Sequence, residues 1–428
     1  MFARFITLSD MTAESSDNRF TDALRNRDIR LFLGSTAFFT LASRALAVVI
    51  AFQIYKITQS AMSLGWLGLI EAIPAISLSP FGGYIADRFN RQRIILVTRG
   101  ASCLCAFGLV GFSIWESSVS LYGLYGMIFL AGVARGFADP ANSAFEAQIV
   151  PQKLTVNASS WISSTWLGCS VIGPAAIGFI FDGIGASGSY LVITGSFAIS
   201  WALTFAIPHK IQLQPDTHEP VFASIKTGWH YLFRNQPLWT AMVLDLFAVF
   251  FGGAIILLPV YASDILHVGA KGLGLLNAAP SLGAMLIMLN AARKPPIERA
   301  GRNLLWSITG FGLCMIAFAF SRNFILSMAA LFFSGIFDGI SMIIRRSMVR
   351  LLSPEHLRGR IAAANFIFIC ASNELGAFES GMGAAWLGAV PCVAAGGVAT
   401  LAIVAGMALF AKQLRGLRFD LATMERKM

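Results

Sequence analysis

Long apolar segments recur along this chain, and its charges are confined to the short pieces between them. About twelve of these segments are long enough to cross roughly 30 Å of hydrocarbon as helices. They are read as Leu31–Tyr55, Ser63–Ala86, Ile94–Trp115, Leu121–Ser143, Ala158–Phe181 and Ser189–Ile207. After a polar break from Pro208 to Pro220 come Leu238–Tyr261, Leu273–Ala291, Leu304–Phe320, Phe324–Val349, Ile361–Ser380 and Ala385–Ala411. Only a weak turn, Gly381 to Gly388, divides the last two. The chain is 56% hydrophobic with 13% charged residues, and its mean hydropathy is +0.69. That is too apolar for a soluble domain, which needs a charged surface around its core. The fold class expected is an all-α membrane protein.

The basic residues orient it. With the N-terminus in the cytoplasm, 27 of the 32 Lys and Arg fall in cytoplasmic segments. Three fall outside (Lys56, Lys271 and Arg322), and Arg44 and Arg135 lie within spans. This asymmetry follows the positive-inside rule and accounts for the net charge of +10. Loops facing anionic lipid explain that charge better than nucleic-acid binding. Both termini are expected in the cytoplasm, with the bilayer and a small molecule as partners, no nucleic acid, and a monomer.

Other functions are disfavoured. The first 28 residues have no apolar core of the kind a cleavable signal needs. The Cys at 103, 105, 169, 314, 370 and 392 all lie in apolar segments and form no C-x-x-C pair, so neither disulfides nor zinc is expected. Neither H-E-x-x-H nor G-x-S-x-G occurs, so no catalytic residue, metal or cofactor is expected and the chain is not read as an enzyme.

The chain repeats itself. `LGLIEAIP` at Leu67–Pro74 returns as `LGLLNAAP` at Leu273–Pro280, an offset of 206. `VPQKL` at Val150–Leu154 is answered by `SPEHL` at Ser353–Leu357, an offset of 203. Six spans separate the partners, so the halves share one orientation. Parallel repeats of this kind build transporters with the substrate site between the halves. The division is 1–30 as a cytoplasmic segment, 31–207 and 238–411 as six-helix bundles, 208–237 as a linker and 412–428 as a tail. In the linker, Phe222–Asn235 places Phe222, Ile225, Trp229, Leu232 and Phe233 on one face and Lys226, His230 and Arg234 on the other. It is expected to lie on the inner leaflet.

The segment `GGYIADRFNRQR`, Gly82 to Arg93, packs four charges into the turn between spans 2 and 3. Its Gly83, Asp87, Arg88, Arg91 and Arg93 resemble the loop signature of the major facilitator superfamily. That resemblance implies twelve transmembrane helices in two six-helix halves. It also implies that Asp87 meets the N-terminus of span 11, near Gly359–Ile361, in the outward-facing state, where a helix dipole favours a carboxylate. A topogenic cluster that only retains the loop is the plainer reading. The equivalent loop, `ARKPPIERAGR`, lacks the pattern.

Two further stretches, `FQIYKITQSAMSLGWLGLIEAIP` and `RGRIAAANFIFICASNELGAFESG`, resemble the branch of that superfamily containing enterobactin exporters and macrolide-efflux-like proteins. `GCSVIGPAAIG` in span 5 resembles the antiporter motif of drug and proton exporters through Gly168, Gly173, Pro174 and Gly178, with Ile177 where a Gly is expected. Close helix packing alone would also use these residues. The resemblance implies a proton-driven exporter of a siderophore-like or amphipathic compound in the bacterial inner membrane. An importer, or a lysolipid or macrolide transporter, is the alternative.

Ionisable groups within spans are costly and face cavities or partners. The candidates are Arg44, Glu71, Arg135, Asp139, Asp245, Asp338, Glu374 and Glu379. In the superfamily spans 1, 4, 7 and 10 line the cavity, and here they carry Arg44, Arg135, Asp245 and Asp338. The offset of 203 maps Arg135 onto Asp338 and Arg44 to within two residues of Asp245. This suggests a basic wall facing an acidic one, with Arg residues holding an anionic or catechol-like substrate and Asp residues carrying the proton. Glu71 and Glu374 are the next proton candidates. Arg135 and Asp139 also have the spacing of a pair on one helix. No His lies in a span.

Overall fold

The computed structural model describes residues 22–114, 118–208, 229–291, 298–354 and 357–419. Side chains at a few helical positions, 358–360 and Cys370 among them, lie outside this description. No strand occurs among the described residues. The long helices are α1 (Arg27–Thr58), α2 (Ala61–Arg88), α3 (Arg91–Ile114) and α4 (Ser118–Ile149), followed by Thr155–Phe205. The second half holds α7 (from Gln236), α8 (Gly269–Ala291), α9 (Ala300–Phe320), α10 (Phe324–Leu352), α11 (Arg358–Leu387) and α12 (Ala389–Phe410).

Ten helices among the described residues are long and apolar enough to cross a membrane. One of them, Thr155–Phe205, has 51 residues, roughly 76 Å of helix and too long for one crossing. Gly185, at φ 70° and ψ −170°, breaks it into arms α5 (155–184) and α6 (186–205). Only Gly adopts that backbone without strain. The seven-residue loop expected here is thus a single-residue kink. Counting both arms and α11 gives twelve helices of membrane-crossing length among the described residues. Asn side chains start three of the helices by accepting backbone N–H groups that lack helical partners. Asn26 accepts from Asp28 at 2.9 Å, Asn235 from Leu238 at 3.4 Å and Asn323 from Ile325 at 2.9 Å.

Several boundaries differ from expectation. The weak turn at Gly381 to Gly388 is helical as far as Leu387, and Gly388 at φ 89° alone separates α11 from α12. The seventh span is not one regular helix. It ends at Gly252, passes through a 3-10 turn (Ala254–Leu257) and finishes in a π turn (Tyr261–Ile265). In the linker, Phe222 to Lys226 lie outside the described residues. Residues 229–234 are helical and pack on protein through Leu232 and Trp229, while Phe233 is exposed. Leu232 is fully buried among Met242, Leu357 and Ile361, and Trp229 stacks on Phe368 at 5.2 Å. Tyr231, unmarked by the sequence pattern, donates to the Leu352 carbonyl at 2.8 Å.

The internal repeat is visible as packing. A Cβ on Gly132 would stand 2.4 Å from the Glu71 carbonyl oxygen and 2.8 Å from Pro74, so α4 crosses α2 in backbone contact. The residue 203 positions later, Gly335, would place its Cβ 1.9 Å from the Pro280 oxygen. Gly136 and Gly339 follow one turn on and close against α2 and α8 in the same way. Small residues four apart let helices approach this closely.

The halves meet through two related crossings. Gly178 on α5 packs on Gly274 of α8, and Gly381 on α11 packs on Gly65 of α2. Both crossings lie toward the end of the bundle away from the basic loops. There one hydrophobic core joins the halves, with Val48–Val49, Leu64 and Leu67 against Leu257–Leu258, Leu273 and Leu276. At the basic end the cores are separate. One holds Phe32, Ile95 and Phe145, and the other holds Leu244, Leu304 and Ile344. Among the described residues, a shared core joins the halves at one end only.

Candidate functional site

At mid-depth between the halves lies a cluster built around Arg135. The Gly132–Gly136 crossing presses α4 onto α2 and so brings Arg135 beside Glu71. Its Nη1 stands 3.0 Å from Glu71 Oε1 and 3.5 Å from Glu374 Oε1. Its Nε is 3.5 Å from Asp139 Oδ2, one turn along α4. Glu374 belongs to α11, so the guanidinium bridges the two halves. Arg135 is 41% exposed at the middle of a membrane-crossing helix, as expected for a cavity wall.

Arg44 is also exposed. Its guanidinium lies over the Trp166 ring at 5.1 Å, and no carboxylate among the described residues is within ion-pair distance. Gly173 of the antiporter-like stretch permits this approach, since a Cβ there would be 3.1 Å from the Leu41 oxygen and 3.3 Å from Arg44 Cβ. Gly178 and the Pro174 carbonyl meet α8 at Gly274, while Gly168 faces open space. The stretch therefore joins α5 to α1 in its own half and to α8 in the other. Ile177, where a Gly was expected, is 2% exposed. Toward the basic end, the face of α5 that bears these contacts continues as Ser159 and Ser163, both exposed.

Asp245 and Asp338 lie elsewhere. Asp245 is buried inside the second half, paired with Arg345 of α10. Asp338 lines a narrow cleft with it. The acidic wall is therefore not opposite Arg44 and Arg135; three carboxylates surround Arg135 itself, two of them from its own half. For Asp245 the repeat offset explains the difference. Arg44 maps two residues past Asp245, and two residues turn a helix by about 200°. The counterpart of Arg44 is Phe247, 38% exposed and stacked on Phe251 at 6.1 Å.

In the α2–α3 turn, Asp87 lies 4.0 Å from Arg91 and is largely exposed. Arg91 donates to the Ala86 and Ala144 carbonyls, both at 3.2 Å, and so ties the turn to α4. Arg88 lies over Tyr84 at 4.3 Å, and Arg93 is exposed. Gly83 faces open space; the close contact belongs to Gly82, whose Cβ would be 2.3 Å from the Gly136 oxygen. Of the expected partner segment Gly359–Ile361, positions 359 and 360 have side chains outside the described set, and Ile361 is buried with Leu232, Met242 and Leu357.

Sequence reasoning missed several groups. Arg99 and Arg345 were counted with cytoplasmic loops but are buried within α3 and α10. Arg99 donates to Ser35 and Thr204 and lies over Phe39 at 5.3 Å. At the sealed end, Tyr55 donates to Asp264 and Lys271 pairs with Asp182 at 2.8 Å, both across the halves. A residue within two or three turns of a helix end gives no sequence signal that separates loop from span.

Comparisons with known proteins agree with this architecture. The chain is 25% identical over 319 residues to the Enterobactin exporter EntS of Shigella flexneri, covering 74% of this chain and 75% of that relative. Its fold matches a solved POT family transporter in complex with 5-aminolevulinic acid at TM-score 0.72 and 12% identity, covering 91% and 96% of the two chains. It also matches a D-xylose-proton symporter at TM-score 0.69 and 14% identity, covering 94% and 100%. The Major Facilitator Superfamily pattern matches residues 32–377. With that span, the repeated halves and the site between them, this chain is a transporter rather than an enzyme, and it belongs to the Major Facilitator Superfamily.

Proposed function

We propose that this chain is a proton-driven exporter of a siderophore-like or amphipathic small molecule in the bacterial inner membrane, with both termini cytoplasmic. The observation that carries this reading is the sharing of Arg135 between Glu71 of its own half and Glu374 of the other. Glu71, Asp139 and Glu374 gather on Arg135, and Arg44, over Trp166, is the second guanidinium on the cavity wall of the same half. One proton brings the set to neutrality. Where that proton sits decides how firmly Arg135 holds Glu374, and so how firmly the halves are tied. The resemblance to enterobactin exporters supports outward transport.

Arg44, with no carboxylate in reach among the described residues, is the cation available to an anionic or catechol-like substrate. Trp166 beneath it offers a flat apolar surface. With the basic end in the cytoplasm, the end at which the cores of the halves are separate faces inward, as an exporter needs for loading. The test is uptake into inverted vesicles with an imposed pH gradient, using siderophores, macrolides and lysolipids in parallel. Export by proton antiport requires accumulation with the vesicle interior acidic. Accumulation only in right-side-out vesicles would mean an importer, and none under either gradient would remove proton coupling.

The Asp87 turn is read here as a latch of the outward-facing state. Asp87→Asn is expected to favour inward-facing forms and to slow export without unfolding the protein. Spin-label distances between the sealed ends of the halves would report this. Unchanged distance distributions with normal export would leave the turn a topogenic signal only.

A further inference from the structure

Helix α10 carries Asp338, Ser341 and Arg345 at spacings of three and four residues, which stack on one face over two turns. Arg345 Nε donates to Ser341 Oγ at 3.3 Å, and its Nη1 donates to Asp245 on α7. Both ion-pair side chains are 8% exposed. Asp338 and Asp245 line one cleft, closed by Ser307, Phe311 and Phe337.

The elements around this cleft bring no further charge to it among the described residues. Helix α8 meets α10 through Pro280, Ala284 and Ile287. Helix α9 contributes Ser307, Ile308 and Phe311. On α11, Glu374 is turned to Arg135 and Glu379 lies 3.5 Å from Ser380. Arg346 is exposed and, one residue on from Arg345, about 100° around the helix. The cleft thus holds two carboxyl groups and one guanidinium. A second ionised carboxylate in an apolar bundle would lack a counter-ion, and such a group takes up a proton instead. The Ser341 hydroxyl hydrogen, one turn from Asp338, has no acceptor among the described residues.

We propose that Asp245, Asp338 and Arg345 form a proton-binding site inside the C-terminal half, separate from the Arg135 cluster, and that Asp338 holds its proton here. Release breaks only the carboxyl O–H bond; the proton passes to water in the cleft and no electrons move. Arg345 is then shared between two carboxylates. The use of this proton in coupling rests on the proton-driven reading above, and would give each cycle two proton sites rather than one.

The test is infrared difference spectroscopy of the purified full chain during a pH titration, reading the protonated-carboxyl stretch. Asp338→Asn should remove one component of that band while preserving the fold, because the amide matches the neutral acid in shape and leaves Asp245–Arg345 intact. Asp245→Asn should remove the same component, because Arg345 then has Asp338 as its only carboxylate partner and holds it ionised. Persistence of the full band in Asp338→Asn overturns the proposal, as does its persistence in a folded Asp245→Asn protein. The readout needs no transport. Loss of the component in a protein that ignores pH gradients would sustain the site and refute proton-driven export; an unchanged band in a proton-driven transporter would do the reverse.

Discussion

Arg135→Ala is expected to lower transport by roughly 100-fold while the protein still folds and inserts. The side chain makes charge-assisted contacts at 3.0 Å and 3.5 Å with Glu71 and Glu374, each worth about 1.5–3 kcal/mol when well formed. Arg135 is partly exposed, so solvent screening holds each contact to the lower end of that range. The combined loss is about 3 kcal/mol, which corresponds to roughly 100-fold. The defect is expected to be larger in transport than in stability because Glu71 and Asp139 are partly exposed, so water can solvate the freed carboxylates. Arg135→Lys keeps the charge but cannot reach several carboxylates with one planar fork, so it should recover only part of the rate. Initial rates in inverted vesicles at matched protein levels check both. A rate within about threefold of wild type for Arg135→Ala, less than 1 kcal/mol, would mean that the bridge between the halves carries no part of the cycle.

Part of this site was legible from the sequence. An ionisable residue inside an apolar span stands out because hydrocarbon penalises it, and Glu71, Arg135, Asp139 and Glu374 were all visible for that reason. Their assembly was not. Glu71 lies 64 residues from Arg135 and Glu374 lies 239 away, and no local pattern encodes which will meet. Nor does a repeat alignment accurate to two residues fix a helical face, which is why Asp245 was placed on a cavity wall and is found paired with Arg345 instead.

The fold shows the same division. Spans long enough to cross were plain from composition, because bilayer thickness sets their length. The breaks at Gly185 and Gly388 fall inside the divisions expected at 182–188 and Gly381 to Gly388, but their single-residue extent was hidden, because a glycine at positive φ ends a helix without any change in hydropathy. Arg99 and Arg345 were hidden for the opposite reason. Charge within three turns of a basic loop reads as part of that loop, yet both side chains turn inward and find partners.

Gly335→Val is expected to destabilise the protein more than any cavity substitution. A Cβ at this position would stand 1.9 Å from the Pro280 oxygen and 2.6 Å from its Cα. These are backbone atoms at a helix crossing, so no side chain can move aside, and the crossing must separate along its length. Overpacking of this kind costs typically 1–3 kcal/mol even where neighbours can yield, and here they cannot. Purified Gly335→Val should show a lower thermal midpoint and a lower folded yield. Gly132→Val, the same position in the first half, should behave alike, since its Cβ would be 2.4 Å from the Glu71 oxygen. Gly83→Val supplies the contrast. Nothing lies within 4 Å of its Cβ, so its thermal midpoint should match wild type. If the Asp87 turn closes against α11 during the cycle, the added side chain will obstruct that closure, and transport will fall while stability holds. A normal midpoint for Gly335→Val would mean that the α8–α10 crossing is looser than its backbone contact implies, and normal transport by Gly83→Val would mean that α11 never approaches this face of α2.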